Sequence, residues 1–479
     1  EDVLGLIYIS CKNIGNRKAT GSYYTSTKVV KNLINRLSFQ EPVKVLDPCC
    51  GTGNFLLQLP DVLPFDSIYG NDIDAASVKI TRLNMALKYN VPVAAIYEHI
   101  TEQDYLTDYA EKDFQYIIGN PPWGYNFSEE ELSHLRTIYK SATGKTIESY
   151  DAFIEQALNH LTDNGHLAYV LPEAILNVKA HTNIRKIILE NCSIKNLVFL
   201  GNAFDGVQCP CIILDLQCTR SPLSTVGMNV TTGTASFTIN IERTVSVEHF
   251  SFTTSDAEYN IMCKIRNMPN SAYLRGNADF ALGIVTGNNK EYISDIKNEN
   301  NEMILKGADI RKYHTTRTNN YIVFKPENFQ QAAPTEMYRS PEKLLYRFIS
   351  SQLVFAYDDK QTLSLNSCNI VIPRIPGTKI KYVLAILNSR IAQFIYKKEF
   401  NSVKVLRSHI ENIPIPTADA STQAEIIALT DKLISGLQAD EAEKVYDELD
   451  LLVSKAFNLD SNEIEIINKA VEGDNKFLA

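Results

Sequence analysis

A chain of 479 residues, 44% hydrophobic and 22% charged, has the composition of a globular protein with room for two or three cores, which excludes the fibrous and disordered classes. No apolar run approaches the roughly 18 residues that span a bilayer. Nine scattered cysteines form no disulfide framework, so a cytoplasmic protein without membrane contact is expected. The net charge of −9 is uneven: −7 over residues 1–250, +7 over 251–415 and −9 over 416–479. The middle segment is a basic island, a weak pointer to a polyanion when taken alone.

In chain order, short apolar segments at 43–48, 67–73, 116–120, 166–172, 196–200 and 211–217 read as strands. Helical spacing lies between them at 26–38, 75–90, 150–162 and 183–191. This alternation predicts an α/β, Rossmann-like domain with a mostly parallel sheet covered on both faces. Residues 219–250 are rich in Ser and Thr and lose the rhythm, which predicts a domain boundary there. Residues 260–415 mix short strands, turns and a few helices, an α+β pattern, and the chain beyond about 420 is helical and acidic. The expected division is a catalytic domain over 1–245, a second domain over 246–415 and a helical acidic segment over 416–479.

Two stretches carry chemistry. The first strand runs into Asp47-Pro48-Cys49-Cys50-Gly51-Thr52-Gly53-Asn54-Phe55. Two glycines two apart let a backbone turn tightly towards a ligand at the carboxyl end of a parallel strand. There is no third glycine at dinucleotide spacing and no Gly-Lys-Ser/Thr, so the ligand need not carry phosphates. The next strand ends in Asn71-Asp72-Ile73-Asp74, where a carboxylate suits ribose hydroxyls, and Asp104-Tyr105 forms a further acidic turn. The other stretch is "YIIGNPPWG", residues 116–124. Two consecutive prolines fix two φ angles and hold Asn120 on a stiff segment at a strand end, with the only Trp of the chain beside it. Histidines occur singly, and Cys209-Pro210-Cys211 lacks a completing pair, so no metal is expected.

In this order the motifs resemble the S-adenosylmethionine-dependent DNA amino-methyltransferases of restriction-modification systems, specifically the TaqI-like, gamma-order group. "GSYYTS" (21–26), "VLDPCCGTGNF" (45–55), "GNDID" (70–74), "QDY" (103–105) and "GNPPWG" (119–124) resemble the cofactor and catalytic motifs. "LGIVTGNNKEYI", "LKGADIRKY" and the stretch from "AILNSRIAQFIYKK" to "IENIPIP" resemble the recognition domain. The departures are Ser26, where Pro is usual, and Trp123, where Tyr or Phe is commoner.

The resemblance implies a site-specific enzyme that methylates N6 of a flipped-out adenine in double-stranded DNA. Asn120, Pro121, Pro122 and Trp123 would be the catalytic group. S-adenosylmethionine would lie across Thr25, Asp47, Pro48, Cys50, Gly51, Gly53, Asp72, Ile73, Asp104, Tyr105 and Phe153, with Tyr23 and Tyr24 as either cofactor wall or core. Trp123 and Phe204 would flank the base, while Lys290 in the "TGNNK" turn and the Lys343–Arg347 helix face, Lys343 and Arg347 above all, would meet DNA. A monomer, with a cognate restriction endonuclease acting on the same site, is the expected setting. The alternatives are methylation of cytosine N4, RNA adenine or protein glutamine, a pure DNA-specificity subunit, and the modification part of a combined endonuclease–methyltransferase. The last fits a chain that opens without Met, as a piece of something longer would.

Overall fold

The structure, a computed structural model, describes residues 2–11, 24–39, 43–144, 147–204, 208–233, 235–400 and 402–473. The chain divides into two units, Glu1–Asp256 and Ala257–Ala479. Tyr23 lies outside the described residues. No helix among the described residues is long and apolar enough to cross a membrane.

The first unit is built on one nine-stranded sheet. Its strands are β1 (Val45–Asp47), β2 (Ile68–Asp72), β3 (Ile100–Glu102), β4 (Phe114–Gly119), β5 (Leu161–Pro172), β6 (Cys192–Gly201), β7 (Cys211–Cys218), β8 (Met228–Thr232) and β9 (Ala235–Ile239). The spatial order is 3-2-1-4-5-7-6-8-9. β1 to β5 pair in parallel, and β7 inserts antiparallel between β5 and β6. Runs such as Val45-Leu46, Ile117-Ile118 and Tyr169-Val170 are wholly buried, as expected of strands covered on both faces. The helix Thr27–Ile34 buries Val30, Leu33 and Ile34, one face at helical spacing, and Ser149–His160 buries most of its length.

Three strands escape the sequence pattern. β3 is only Ile-Thr-Glu, too short to show a period. β8 and β9 lie in the Ser/Thr-rich stretch and pair as an antiparallel hairpin that extends the sheet from β6. Their alternation of buried Met228 and Val230 with Asn229 and Thr231 is a half-covered edge pattern, which a reading tuned to fully apolar strands passes over.

In the second unit, strands β10 (Ala278–Ala281), β11 (Lys343–Arg347), β12 (Phe355–Asp358) and β13 (Cys368–Pro373) form an antiparallel sheet in the order 10-13-11-12. The helices Ile380–Asn388 and Arg390–Glu399 share its core with Ala420–Ile434 and Ala439–Ala456. Tyr346, Val371, Tyr382, Phe394, Tyr446 and Val453 are all buried in it. The acidic C-terminal helices therefore fold with the basic island, and Lys264–Glu463, Lys381–Asp431 and Arg390–Asp447 pair the two charges.

The expected helix face at Lys343–Arg347 is a strand, an inner one of this sheet. Leu344, Leu345 and Tyr346 are buried, and the Lys343 side chain is buried with them, its Nζ donating to Asp358 Oδ2 at 2.5 Å and to the Tyr338 carbonyl at 2.7 Å. Lys343 is thus a core ion pair and not a phosphate contact. Arg347, half-buried at the strand end, donates from Nε to the Ile310 carbonyl and from Nη2 to the Ala308 carbonyl, both at 3.1 Å. Lys290 is exposed on the short helix Asn289–Tyr292.

Candidate active site

Because β3, β2, β1 and β4 are parallel neighbours, their carboxyl ends come together on one edge, the place where open α/β sheets bind ligands. Asp47 ends β1, Asp72 ends β2, and Asn120 follows the last residue of β4. After β1 the chain turns through Gly51, whose φ of 54° is left-handed and costs glycine nothing. The Gly51 N–H donates to Asp72 Oδ2 at 2.8 Å, and Asp72 Oδ1 accepts the Asp74 N–H at 2.9 Å. Asn71 locks these strand ends. Fully buried, it donates from Nδ2 to the carbonyls of Pro48 and Gln103 at 3.3 and 3.0 Å, and its Oδ1 accepts from Thr101 at 2.8 Å.

Asp47 is completely buried, and burial pushes its carboxyl well above the usual range against the hydrogen bond from the Cys49 N–H. A Cβ on Gly119 would lie 2.7 Å from Asp47 Oδ1, so only glycine lets β4 pass that close. Asp47 and Gly53 stand outside the lining of the cavity that opens above, whose volume is about 370 Å³. Of the residues expected at a cofactor, Thr25, Pro48, Cys50, Gly51, Asp72, Ile73, Asp104, Tyr105 and Phe153 all line it, together with Asn120 and Pro122. Tyr24, Asn54, Asn71, Tyr125, Phe127 and Ser149 join them. Only position after an apolar strand could have flagged Asn71, and nothing in the sequence flags Tyr125 or Phe127.

The lining decides the class of ligand. Among the described residues it contains the carboxylates of Asp72, Asp74, Asp104 and Glu131 and no Lys, Arg or His. Such a site repels phosphate and favours a cation. Apolar walls from Phe153, Pro122 and Ile73 suit an aromatic ring, so a phosphate-free nucleoside bearing positive charge fits. Asp72→Ala should raise the dissociation constant for such a cofactor about tenfold or more, since charge-assisted hydrogen bonds contribute roughly 1.5–3 kcal/mol. Calorimetric titration checks this, and an unchanged constant would leave Asp72 only its role in the Gly51 turn.

At the other end of the cavity the Asn120 side chain has two unlike ends. Its Nδ2 donates to Thr25 Oγ1 at 2.9 Å, whereas Oδ1 is buried without a hydrogen-bond partner. The Ser149 hydroxyl donates to the Pro122 carbonyl and ties the stiff loop to the helix Ser149–His160. Trp123 and Phe204 are both buried and meet edge-on, ring centres 5.0 Å apart. They form one aromatic pair, and a base inserted between them would have to part the two rings.

Tyr105 lies under the acidic turn, 5.4 Å from the rings of both Phe153 and His160. Burial first, and the Lys112 charge second, hold the buried His160 imidazole down to about 4. Between its unfolded value near 6.5 and that folded value, the unfolded chain binds a proton that the folded chain refuses. Stability is therefore full above about pH 6.5 and falls on acidification, by at most roughly 3 kcal/mol from this group. His160→Gln should lose less stability than the parent between pH 7 and 4.5 in thermal melts, and parallel losses would contradict the assignment.

The profile of the family described as N-6 DNA Methylase matches residues 1–245, and that of the TaqI-like C-terminal specificity domain matches residues 302–415. The chain is similar to the Type II methyltransferase M.VspI of Vibrio sp. (strain 343), 29% identical over 313 residues, which cover 64% of this chain and 74% of that one. It is also similar to the Type II methyltransferase M.CvrRI of Paramecium bursaria Chlorella virus XZ-6E, 31% identical over 166 residues, 35% of this chain and 40% of that one. It thus matches under half the length of the second relative. Among solved structures, the Type IIL restriction-modification enzyme MmeI in complex with DNA has the same fold, with a TM-score of 0.61 at 13% identity over 99% of this chain and 81% of that one.

Proposed function

This chain belongs to the N-6 DNA methylase family, and from that premise we propose that it methylates N6 of an adenine turned out of duplex DNA at a specific site. S-adenosylmethionine, the cofactor, supplies an electrophilic sulfonium methyl group when bound. The cavity suits it: four carboxylates for its positive charge, no basic residue for a phosphate among the described residues, and Asp72 at the strand end for ribose hydroxyls.

The observation that carries the proposal is the unpartnered Asn120 oxygen on a proline-stiffened loop that lines the cavity. An exocyclic amine is a poor nucleophile because its lone pair is conjugated into the ring. Asn120 Oδ1 and the Pro121 carbonyl can each accept one of its N–H bonds, which draws the nitrogen towards tetrahedral geometry and frees the lone pair. Because Pro121-Pro122 stiffens the backbone that carries both acceptors, they are aimed before the amine arrives, and no reorganisation of that backbone is needed as positive charge develops. The proton becomes acidic only after transfer, so no strong base is required. Trp123 offers the base a stacking face once Phe204 gives way. For DNA contact outside this unit the candidates are Lys290, which is exposed, and Arg347 at the end of β11. The choice of adenine over cytosine rests on Asn, not Ser, before Pro-Pro.

Transfer of a radiolabelled methyl group from S-adenosylmethionine to duplex DNA, RNA and cell protein offered in parallel tests the acceptor. Label on duplex DNA is expected. Label confined to RNA or protein would overturn the proposal in favour of those acceptors.

A further inference from the structure

Asparagine presents an acceptor at one end of its amide and a donor at the other, and the two ends have nearly the same shape. An amine that must give up N–H bonds needs the oxygen. If the amide were reversed, N–H would face N–H and the site would repel the group it is meant to activate. Something has to hold the side chain with its oxygen towards the amine, and the two prolines after Asn120 hold only the backbone.

We propose that Thr25 holds the amide in place and is a positioning residue for Asn120, an inference that rests on the functional reading above. Thr25 is buried, and its Oγ1 accepts from Asn120 Nδ2 at 2.9 Å, leaving Oδ1 as the end without a partner. Thr25 is itself fixed from behind. Its backbone carbonyl accepts from Asn54 Nδ2 at 2.7 Å, and Asn54 Oδ1 in turn accepts from the Thr27 hydroxyl at 3.4 Å. Asn54 is buried and opens the helix Asn54–Leu57 directly after the Gly51–Gly53 turn. A chain of hydrogen bonds thus runs from the end of the cofactor turn through Thr25 to the reacting amide. The motif in which Thr25 sits reads in the sequence as a cofactor contact, and Thr25 does line the cavity. The two roles separate by measurement, because a cofactor contact acts on binding whereas an orienting contact acts on the rate at saturation.

Thr25→Val keeps the shape and removes the hydroxyl, and Thr25→Ser keeps the hydroxyl. Single-turnover methyl transfer at saturating S-adenosylmethionine, with calorimetric titration of the same cofactor, is compared for both variants and for Asn120→Ala. Loss of one hydrogen bond of roughly 1.5 kcal/mol predicts about a tenfold slower transfer in Thr25→Val, with cofactor affinity unchanged within about twofold and the rate restored in Thr25→Ser. Weaker cofactor binding with an unchanged saturated rate would overturn the proposal and leave Thr25 a cofactor contact. Equal losses in Val and Ser would also overturn it and leave Thr25 a packing residue. A near-normal rate in Asn120→Ala would instead defeat the functional reading beneath it. A slow Asn120→Ala beside a normal Thr25→Val would defeat this inference alone.

Discussion

Asn120→Ala should slow the methyl-transfer step by about 10²–10³-fold, or about 3–4 kcal/mol, the usual loss when one preorganised group is taken from a developing charge. Cofactor affinity should stay where it is, because the Asn120 oxygen bonds nothing within the protein. The fold should persist as well, since the truncation gives up only the hydrogen bond from Nδ2 to Thr25 and leaves the loop tied at Pro122 by Ser149. Single-turnover kinetics at saturating cofactor and DNA isolates the chemical step. A variant with a raised KM and a normal saturated rate would make Asn120 a binding residue and remove the mechanism.

The largest expected effect on stability lies in the second unit. Lys343→Ala should cost about 3–5 kcal/mol, because it strands a buried carboxylate without its cation. Asp358 is buried and holds Lys343 Nζ together with the N–H and hydroxyl of Thr362 at 3.0 and 2.6 Å. Burial lowers the affinity of the Lys343 ammonium for its proton, and the neighbouring Asp358 charge opposes that. The double variant Lys343→Met with Asp358→Asn should recover most of the loss, since no charge is then buried and the amide still accepts from Thr362. Urea denaturation of the single and double variants measures this. A surface lysine meeting phosphate would behave otherwise: stability would hold, and DNA affinity would fall with a shallower salt dependence. That outcome would restore Lys343 to the DNA-facing role the sequence suggested.

Those two residues mark how far the sequence could be read. Asn120 was legible because an apolar strand broken by Gly-Asn-Pro-Pro leaves little choice of backbone and places the amide at a strand end. The apolar segments that became β1, β2, β4, β5, β6 and β7 were legible for a similar reason: each is a short, continuous run between helical stretches. Lys343 was misread because Lys-Leu-Leu-Tyr-Arg has charges at both ends and suits a helix face as well as a strand. Only tertiary pairing with β12 and β13 on either side decides the matter and buries the lysine. The partners of the basic island were hidden in a related way. Charge counted along the chain does not show that acidic helices from residues 420 to 456 return to pair with it. Thr25 and Asn54 were visible as motif members, but the contact between a residue near the start of the chain and one 95 positions later exists only once β1 and β4 are neighbours.

The most direct test of the central claim is the identity of the methylated nucleoside. Unmethylated genomic DNA incubated with the protein and S-adenosylmethionine, then digested to nucleosides and weighed, should contain N6-methyladenine as its only new methylated base, with none formed when Asn120→Ala replaces the parent over the same interval. N4-methylcytosine as the sole product, or DNA left unmodified by the active protein, would contradict the account.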